Sequence, residues 1–133
     1  MELTIHDIKL KDMSNEEIRV WAKNLASDNV VLLRNQDCEK SDLVRIYDSI
    51  GRVCKPVDRK TGKKEFFADD DYPQLMRVTN KRKDGEKIGI FADKELDWHS
   101  NGNAREQGKE CCVALYCVEE GTDSVTSFCD MRQ

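Results

Sequence analysis

The stretch Val30-Val31-Leu32-Leu33 organises the N-terminal part of the chain, because four consecutive aliphatic residues favour a short buried strand. Before it, Ser14 and Glu17 have the spacing of a capping box, in which each residue binds the backbone amide of the other. Apolar residues then recur at helical spacing, so residues 15–27 are predicted to form an amphipathic helix. Its stripe consists of Ile18, Trp21, Ala22 and Leu25.

A second helix is predicted on the other side of this strand, over residues 39–50. Its apolar stripe consists of Leu43, Ile46, Tyr47 and Ile50. Asp37 could cap its first turn, and Gly51 is expected to end it in the usual C′ position. The chain therefore begins with an α–β–α arrangement.

The middle of the chain is predicted to form a loop followed by a hairpin. Residues 55–73 are charged, contain both prolines and are expected to form a long mobile loop. Short strands are predicted at residues 75–79 and 88–91, and Asp84-Gly85 between them favours the positive φ of a tight turn. These two strands should pair.

Two more strands are predicted near the end, at residues 111–118 and 125–129. Helices come first and strands follow, which is the order of an α+β fold with an antiparallel sheet or barrel. A length of 133 residues fits one domain, 1–133, with a modest core.

Composition narrows the class of protein. The net charge is −4 with both signs interspersed, so neither nucleic acid nor an anionic membrane is expected as a partner. No apolar run reaches the roughly 20 residues of a membrane span, and no secretory signal is recognisable. The six cysteines include no C-x-x-C pair and are expected to be reduced core thiols of a cytoplasmic protein, with a disulfide framework as the alternative.

The segment Trp98-His99-Ser100-Asn101 is the main candidate for chemistry. On a strand, residues two apart share a face, so His99 and Asn101 could converge on one metal ion. His99 would offer a neutral imidazole nitrogen, whereas Asn101 offers only an uncharged carbonyl oxygen. A surface or packing role beside Trp98 is the alternative for His99.

From Val30 onward the chain resembles the TauD/TfdA family of Fe(II)- and 2-oxoglutarate-dependent dioxygenases. The resemblance covers roughly residues 28–133 and depends on the order and spacing of short segments. The matching segments are Val30 to Gln36, Ile50-Gly51, Leu75 to Asn80, Trp98 to Asn101, Ala114-Leu115-Tyr116, Gly121-Thr122-Asp123 with Thr126 and Phe128, and Asp130-Met131.

The resemblance implies a partial double-stranded β-helix, jelly-roll-like as in clavaminate synthase, with flanking N-terminal helices. By position, His99 would be the first iron ligand and Asn101 would occupy the place of the carboxylate ligand. Thr126 would lie near the carboxylate of 2-oxoglutarate, and Asn80 would face the substrate. The alternatives are an ordinary strand threonine and a turn asparagine, and Asp97 could substitute for the missing carboxylate.

The second iron histidine and the arginine that pairs with 2-oxoglutarate belong to the family's C-terminal half, and His6 is the chain's only other histidine. Residues 1–133 are therefore expected to be an N-terminal portion of an oxygenase that hydroxylates a small organic substrate. The expected protein partner is a second copy or a complementing C-terminal half. The alternative interpretations of its function are a non-catalytic binding module and a cysteine redox protein.

Overall fold

A computed structural model describes residues 3–25, 30–53, 67–89, 96–99, 112–121 and 125–129. The chain divides into two compact units, Met1–Lys94 and Glu95–Gln133. Within the described residues, all helices and strands belong to the first unit. Some of the predictions made from the sequence lie outside the described part. They are those that fall on residues 26–29, 54–66, 90–95, 100–111, 122–124 and 130–133.

The first helix, α1, spans Asn15–Asn24 and confirms the predicted capping box. The Ser14 amide donates to the Glu17 carboxylate at 2.7 Å, and the Glu17 amide donates to the Ser14 hydroxyl at 3.3 Å. Leu25 is the C-cap, so the helix ends earlier than the predicted residue 27. The serine and glutamate satisfy amides that the first turn would otherwise leave unpaired.

The second helix, α2, spans Lys40–Ile50, close to the predicted 39–50, but the predicted capping at both of its ends was wrong. Glu39 is the N-cap, and Asp37 instead binds the Lys11 ammonium at 2.9 Å. Gly51 has φ −172°, which is extended backbone and not the left-handed conformation of a C′ glycine. Nothing at this position therefore requires glycine.

A two-stranded parallel sheet joins β1, Leu3–His6, to β2, Val30–Leu33. The strand β2 was predicted and β1 was not. Parallel neighbours need a long crossover, which the segment containing α1 supplies. Leu3 pairs with Val30 and Ile5 with Leu32, so one face of the sheet is aliphatic and largely exposed. The prediction that β2 is buried was therefore wrong for that face.

The core of the first unit lies between the two helices and the segment before α1. Leu10, Ile18 and Ile46 are its buried residues. Half-buried side chains that pack against it are Ile8, Met13, Trp21, Leu33, Cys38 and Tyr47. Both predicted helical stripes thus contribute to one core, with Ile18 on α1 fully buried.

Two polar side chains fasten the irregular segment between β1 and α1 to the elements that follow. The Gln36 amide accepts a hydrogen bond from the Leu10 backbone at 3.2 Å and donates to the Ile8 carbonyl at 2.6 Å. The Arg45 guanidinium on α2 donates to the backbone carbonyls of Lys11 and Met13, at 2.9 and 3.0 Å. These bonds satisfy main-chain groups that have no partner in regular secondary structure.

Asp69 connects the segment that contains Asp69 and Tyr72 to the first turn of α2. Its carboxylate accepts the Lys40 ammonium at 2.7 Å and the Tyr72 backbone amide at 3.1 Å. Ala68 and Asp69 are both buried, so the mobile-loop prediction was wrong for this part of residues 55–73. Likewise the predicted strand at 75–79 is absent from the described residues, where a single bridge joins Ala68 to Met76.

Replacing Asp69 by asparagine is expected to reduce stability at neutral pH and to weaken its acid dependence. The hydrogen bond from Lys40 lowers the pKa of the Asp69 carboxyl, backbone amides add to this, and burial opposes it. A lowered folded-state pKa contributes stability that is complete above the ordinary aspartate value and is lost as the pH falls through the folded value. Urea midpoints from about pH 5 downwards should therefore fall less steeply in Asp69→Asn than in the wild type. Equal slopes, or the same effect in the exposed control Asp71→Asn, would contradict this assignment.

The predicted tight turn is present, although the hairpin is shorter than expected. Strands β3, Arg82–Lys83, and β4, Glu86–Lys87, pair antiparallel around Asp84 and Gly85, whose φ values are 52° and 83°. Two positive φ values identify the turn type that matches strand twist. The predicted partner strands at 75–79 and 88–91 are not formed by their described residues, since Ile88 and Gly89 follow β4 outside any strand.

In the second unit, every described residue except Tyr116 is exposed. Residues 112–118 and 125–129 belong to no strand, so the strand predictions there were wrong, with Cys111 outside the described part. Cys112, Cys117 and Cys129 are exposed, so the prediction of core thiols was wrong for these three. The described residues form an α+β arrangement with two small sheets, and the double-stranded β-helix is not confirmed.

The helices of the described residues are also too short and too polar to cross a lipid bilayer.

Candidate metal centre at His99

His99 lies in the described segment 96–99, where all four side chains are exposed to solvent. Its Nδ1 atom is 2.9 Å from the backbone carbonyl oxygen of Asp97. A carbonyl oxygen can only accept, so in the neutral ring this hydrogen bond places the proton on Nδ1 and leaves the Nε2 lone pair available to bind a metal. Metal-binding histidines are commonly oriented in this way, with the second ring nitrogen donating to a carbonyl or carboxylate.

Asp97 thus contributes to this geometry through its backbone. That role was not predicted, and no residue type could have signalled it, because every residue carries a carbonyl. The Asp97 side chain is exposed, and its service as a substitute iron ligand remains a prediction. Because the carbonyl belongs to a residue only two positions earlier, this hydrogen bond keeps the His99 imidazole close to its own main chain.

The other predicted site residues are placed as follows. Thr126 is an exposed residue of the second unit and lies outside any strand, which removes the strand alternative without testing its role toward 2-oxoglutarate. Asn80 is an exposed residue of the first unit, just before the β3–β4 hairpin. Its role toward a substrate is likewise untested. Asn101 lies outside the described residues.

Close packing fixes the backbone beside Asn80. A Cβ on Gly89 would lie 2.7 Å from the Thr79 backbone nitrogen and 2.6 Å from its methyl carbon. The Thr79 hydroxyl accepts a hydrogen bond from the Lys81 amide at 3.1 Å, and the Ile88 amide donates to the Lys81 carbonyl at 3.3 Å. The base of the hairpin therefore holds Asn80 between two anchored neighbours, and this close approach requires glycine at position 89.

The donor set agrees with an iron site only in part. Non-haem iron oxygenases hold Fe(II) with two histidines and one carboxylate on one face. His99 has the geometry of one such ligand, whereas position 101 carries a neutral amide. Among the described residues, no group of three histidine, cysteine or acidic side chains could hold a metal ion. The described residues therefore contain one candidate ligand, His99, and do not by themselves complete the triad.

The helices and strands of the described residues define the general class of the protein as α+β. Within that class, a model of the taurine catabolism dioxygenase TauD, TfdA family matches residues 2–133, nearly the whole chain. The chain belongs to this family, and the match extends the resemblance seen from Val30 onward to α1 and β1. Comparison with curated proteins and with solved structures gave no match.

Proposed function

We propose that this chain is the His99-bearing portion of a non-haem Fe(II)- and 2-oxoglutarate-dependent dioxygenase that hydroxylates a small organic substrate. Membership of the family supports the dioxygenase class. The observation that carries the assignment to particular residues is the bond between His99 Nδ1 and the Asp97 carbonyl, which leaves Nε2 available for a metal. When bound, the iron would couple decarboxylation of 2-oxoglutarate to oxidation of the substrate.

In this proposal the residues of the chain bind and orient the reacting molecules. His99 binds Fe(II) through Nε2, and Thr126 lies near the 2-oxoglutarate carboxylate. Asn80 faces the substrate, held by the packing of Gly89 against Thr79. Asn101 supplies a neutral oxygen in place of a negatively charged one, which weakens the attraction for a dication.

In this proposal the remaining ligands come from outside these residues, because the other histidine of the sequence, His6, belongs to β1 and packs edge-on against Trp21. We propose that a complementing segment or a second copy of the chain supplies the second histidine and the arginine. The second unit also exposes large apolar side chains that such a partner would cover. They include Trp98, Leu115, Val118 and Val125, which are 74–88% exposed.

An anaerobic Fe(II) titration of the isolated chain tests the proposal. We expect weak binding that His99→Ala reduces by at least about 10- to 100-fold, the loss caused by removing even a residue that only orients a metal ligand. His6→Ala is the matched control and should leave the affinity unchanged, because His6 belongs to β1 and packs edge-on against Trp21. Binding that does not depend on His99 would contradict the proposal.

The isolated chain should release no succinate from 2-oxoglutarate, because one imidazole and one amide do not fix an open iron site. Succinate formation that requires iron and is lost in His99→Ala would show that the site is complete, for example across a dimer interface.

A non-catalytic binding module is the second candidate, favoured by the amide at the carboxylate position. It predicts no Fe(II) binding above background in the wild-type chain, so the same titration separates the two functions.

A further inference from the structure

We propose that the outer face of α1 is a self-association surface, through which two copies of the chain pair antiparallel about a twofold axis beside Val20. This face is a shallow groove beside the stripe that α1 turns toward the core. All of its residues belong to the first unit, and pairing through it does not depend on the proposed iron chemistry. The groove is lined by Met13, Glu16, Glu17, Val20, Trp21 and Asn24.

The groove has the periodicity of a helix–helix contact. Its residues follow one another at intervals of three, one, three, one and three positions, so they form one continuous stripe on the helix surface. Val20 lies in the middle of this stripe and is 49% exposed. A single exposed aliphatic residue is ordinary, whereas one that continues the apolar surfaces of Met13 and Trp21 forms a patch that a second helix can cover.

The charges of α1 favour a second copy of the chain as the partner. Its first turn carries Glu16 and Glu17, and the residues after them include Arg19 and Lys23. Glu16 and Lys23 are seven positions apart, which is about two helical turns, so they lie on the same edge of the stripe with Val20 between them. In an antiparallel pair centred beside Val20, Glu16 of each copy therefore lies opposite Lys23 of the second copy. Twofold symmetry forms this contact twice.

Only the antiparallel arrangement gives this match. A parallel pair would place Glu16 beside Glu16 and Lys23 beside Lys23. It would also align the two helix dipoles, whereas antiparallel helices bring the positive N-terminus of one beside the negative C-terminus of the other. The Glu16 side chain forms an ion pair with Arg19 of its own helix and is still 70% exposed, so its carboxylate can accept a second cation.

The length of α1 determines how strong the association should be. The helix has 10 residues, so a pair of such helices should bury less than the roughly 1,200 Å² at the lower limit of stable complexes. We therefore expect a reversible dimer that forms only as the protein concentration rises. Exposed ion pairs are screened by salt, so the dimer should also weaken as the ionic strength is raised.

Sedimentation equilibrium of the full chain over a range of concentrations measures this association. Glu16→Lys and Lys23→Glu should each weaken it about tenfold, because each change turns two exposed ion pairs into like-charge contacts. The matched control is Asp48→Lys, which makes the same charge change as Glu16→Lys at an exposed position on α2 and should have no effect. Glu16 and Lys23 are exposed as well, so both variants should fold, which far-UV circular dichroism checks. If either does not fold, Glu16→Gln and Lys23→Gln remove the ion pairs without reversing them and should weaken the association less.

An equimolar mixture of Glu16→Lys and Lys23→Glu gives the sharpest result. In a pair formed by one molecule of each variant, every contact between positions 16 and 23 again joins opposite charges. We therefore expect the mixture to associate about as tightly as the wild type, although neither variant does so alone. A mixture that associates no more tightly than the separate variants would overturn the proposal.

Two further outcomes would also overturn it. One is a wild-type dimer that neither charge reversal weakens, which would assign the association to another surface. The other is a wild type that stays monomeric at every concentration. In that case a loss of stability in Val20→Glu would show that other residues of the same chain cover the groove, and unchanged stability would show that the groove stays open to solvent.

Discussion

Replacing Ile18 by alanine is expected to lower the free energy of unfolding of the first unit by about 2–5 kcal/mol. Ile18 is 0% exposed and lies in the core with Leu10 and Ile46. Removing its buried methyl and methylene groups forfeits the transfer free energy and leaves a cavity. A domain of this size is stable by only about 5–15 kcal/mol, so the loss should be visible as a large shift in the unfolding midpoint.

Urea unfolding followed by Trp21 fluorescence measures this loss, because Trp21 packs against the same core. The matched control is Val20→Ala on the same helix, where the side chain is 49% exposed. That change should stay within about 0.5 kcal/mol. Similar losses in the two variants would show that α1 does not bury the face that contains Ile18.

Gly89→Ala is expected to destabilise the hairpin region by about 1–3 kcal/mol. The added methyl group would lie 2.7 Å from the Thr79 backbone nitrogen, so main chain must move and not only a flexible side chain. The hydrogen bond from the Ile88 amide to the Lys81 carbonyl should weaken as a result. Amide hydrogen exchange at Ile88 reports this directly, and urea unfolding reports the free energy.

The matched control is Gly51→Ala. Gly51 has an extended backbone and no atom within 4 Å of an added Cβ. This change should be neutral or stabilise by about 0.4–1 kcal/mol, because alanine restricts the unfolded chain. If Gly89→Ala is as mild as Gly51→Ala, the close approach to Thr79 does not exist in solution and the proposed placement of Asn80 loses its support.

The sequence predicted those parts of the fold that local chemistry determines. The capping box of Ser14 and Glu17, the helical stripes and the Asp84-Gly85 turn each depend on residues within a few positions of one another. The pairing of β1 with β2 depends on contacts about 27 residues apart and has no local signature. The same holds for Asp69, whose carboxylate binds the Lys40 ammonium 29 positions away.

The strand predictions in the second unit failed for a related reason. The residues of 112–118 have strong β propensity, but propensity reflects how well a side chain fits a paired, half-buried surface. The described residues of this unit offer no paired strand and no buried neighbour, so the propensity is not realised there. Family recognition from short segments was confirmed, since the order of many weak motifs is more specific than any one of them.

At the candidate site the sequence identified His99 but not its tautomer. Residue types indicate which atoms can bind a metal, whereas the backbone path decides which ring nitrogen is occupied by the Asp97 carbonyl. At position 101, by contrast, the sequence alone identifies the side-chain amide. We propose that this uncharged oxygen weakens the binding of Fe(II).

The most direct test of the proposed role of His99 is a long-range ¹H–¹⁵N correlation spectrum of the two histidines. The spectrum is recorded at a pH where both rings are neutral, before and after addition of Fe(II) under anaerobic conditions. We expect the His99 ring to be protonated on Nδ1 and unprotonated on Nε2. The Nε2 resonance should broaden at the lowest metal concentrations, while the resonances of His6 should be unaffected. A His99 ring protonated on Nε2, with resonances that do not respond to Fe(II), would contradict the central claim that the Asp97 carbonyl orients His99 as a metal ligand.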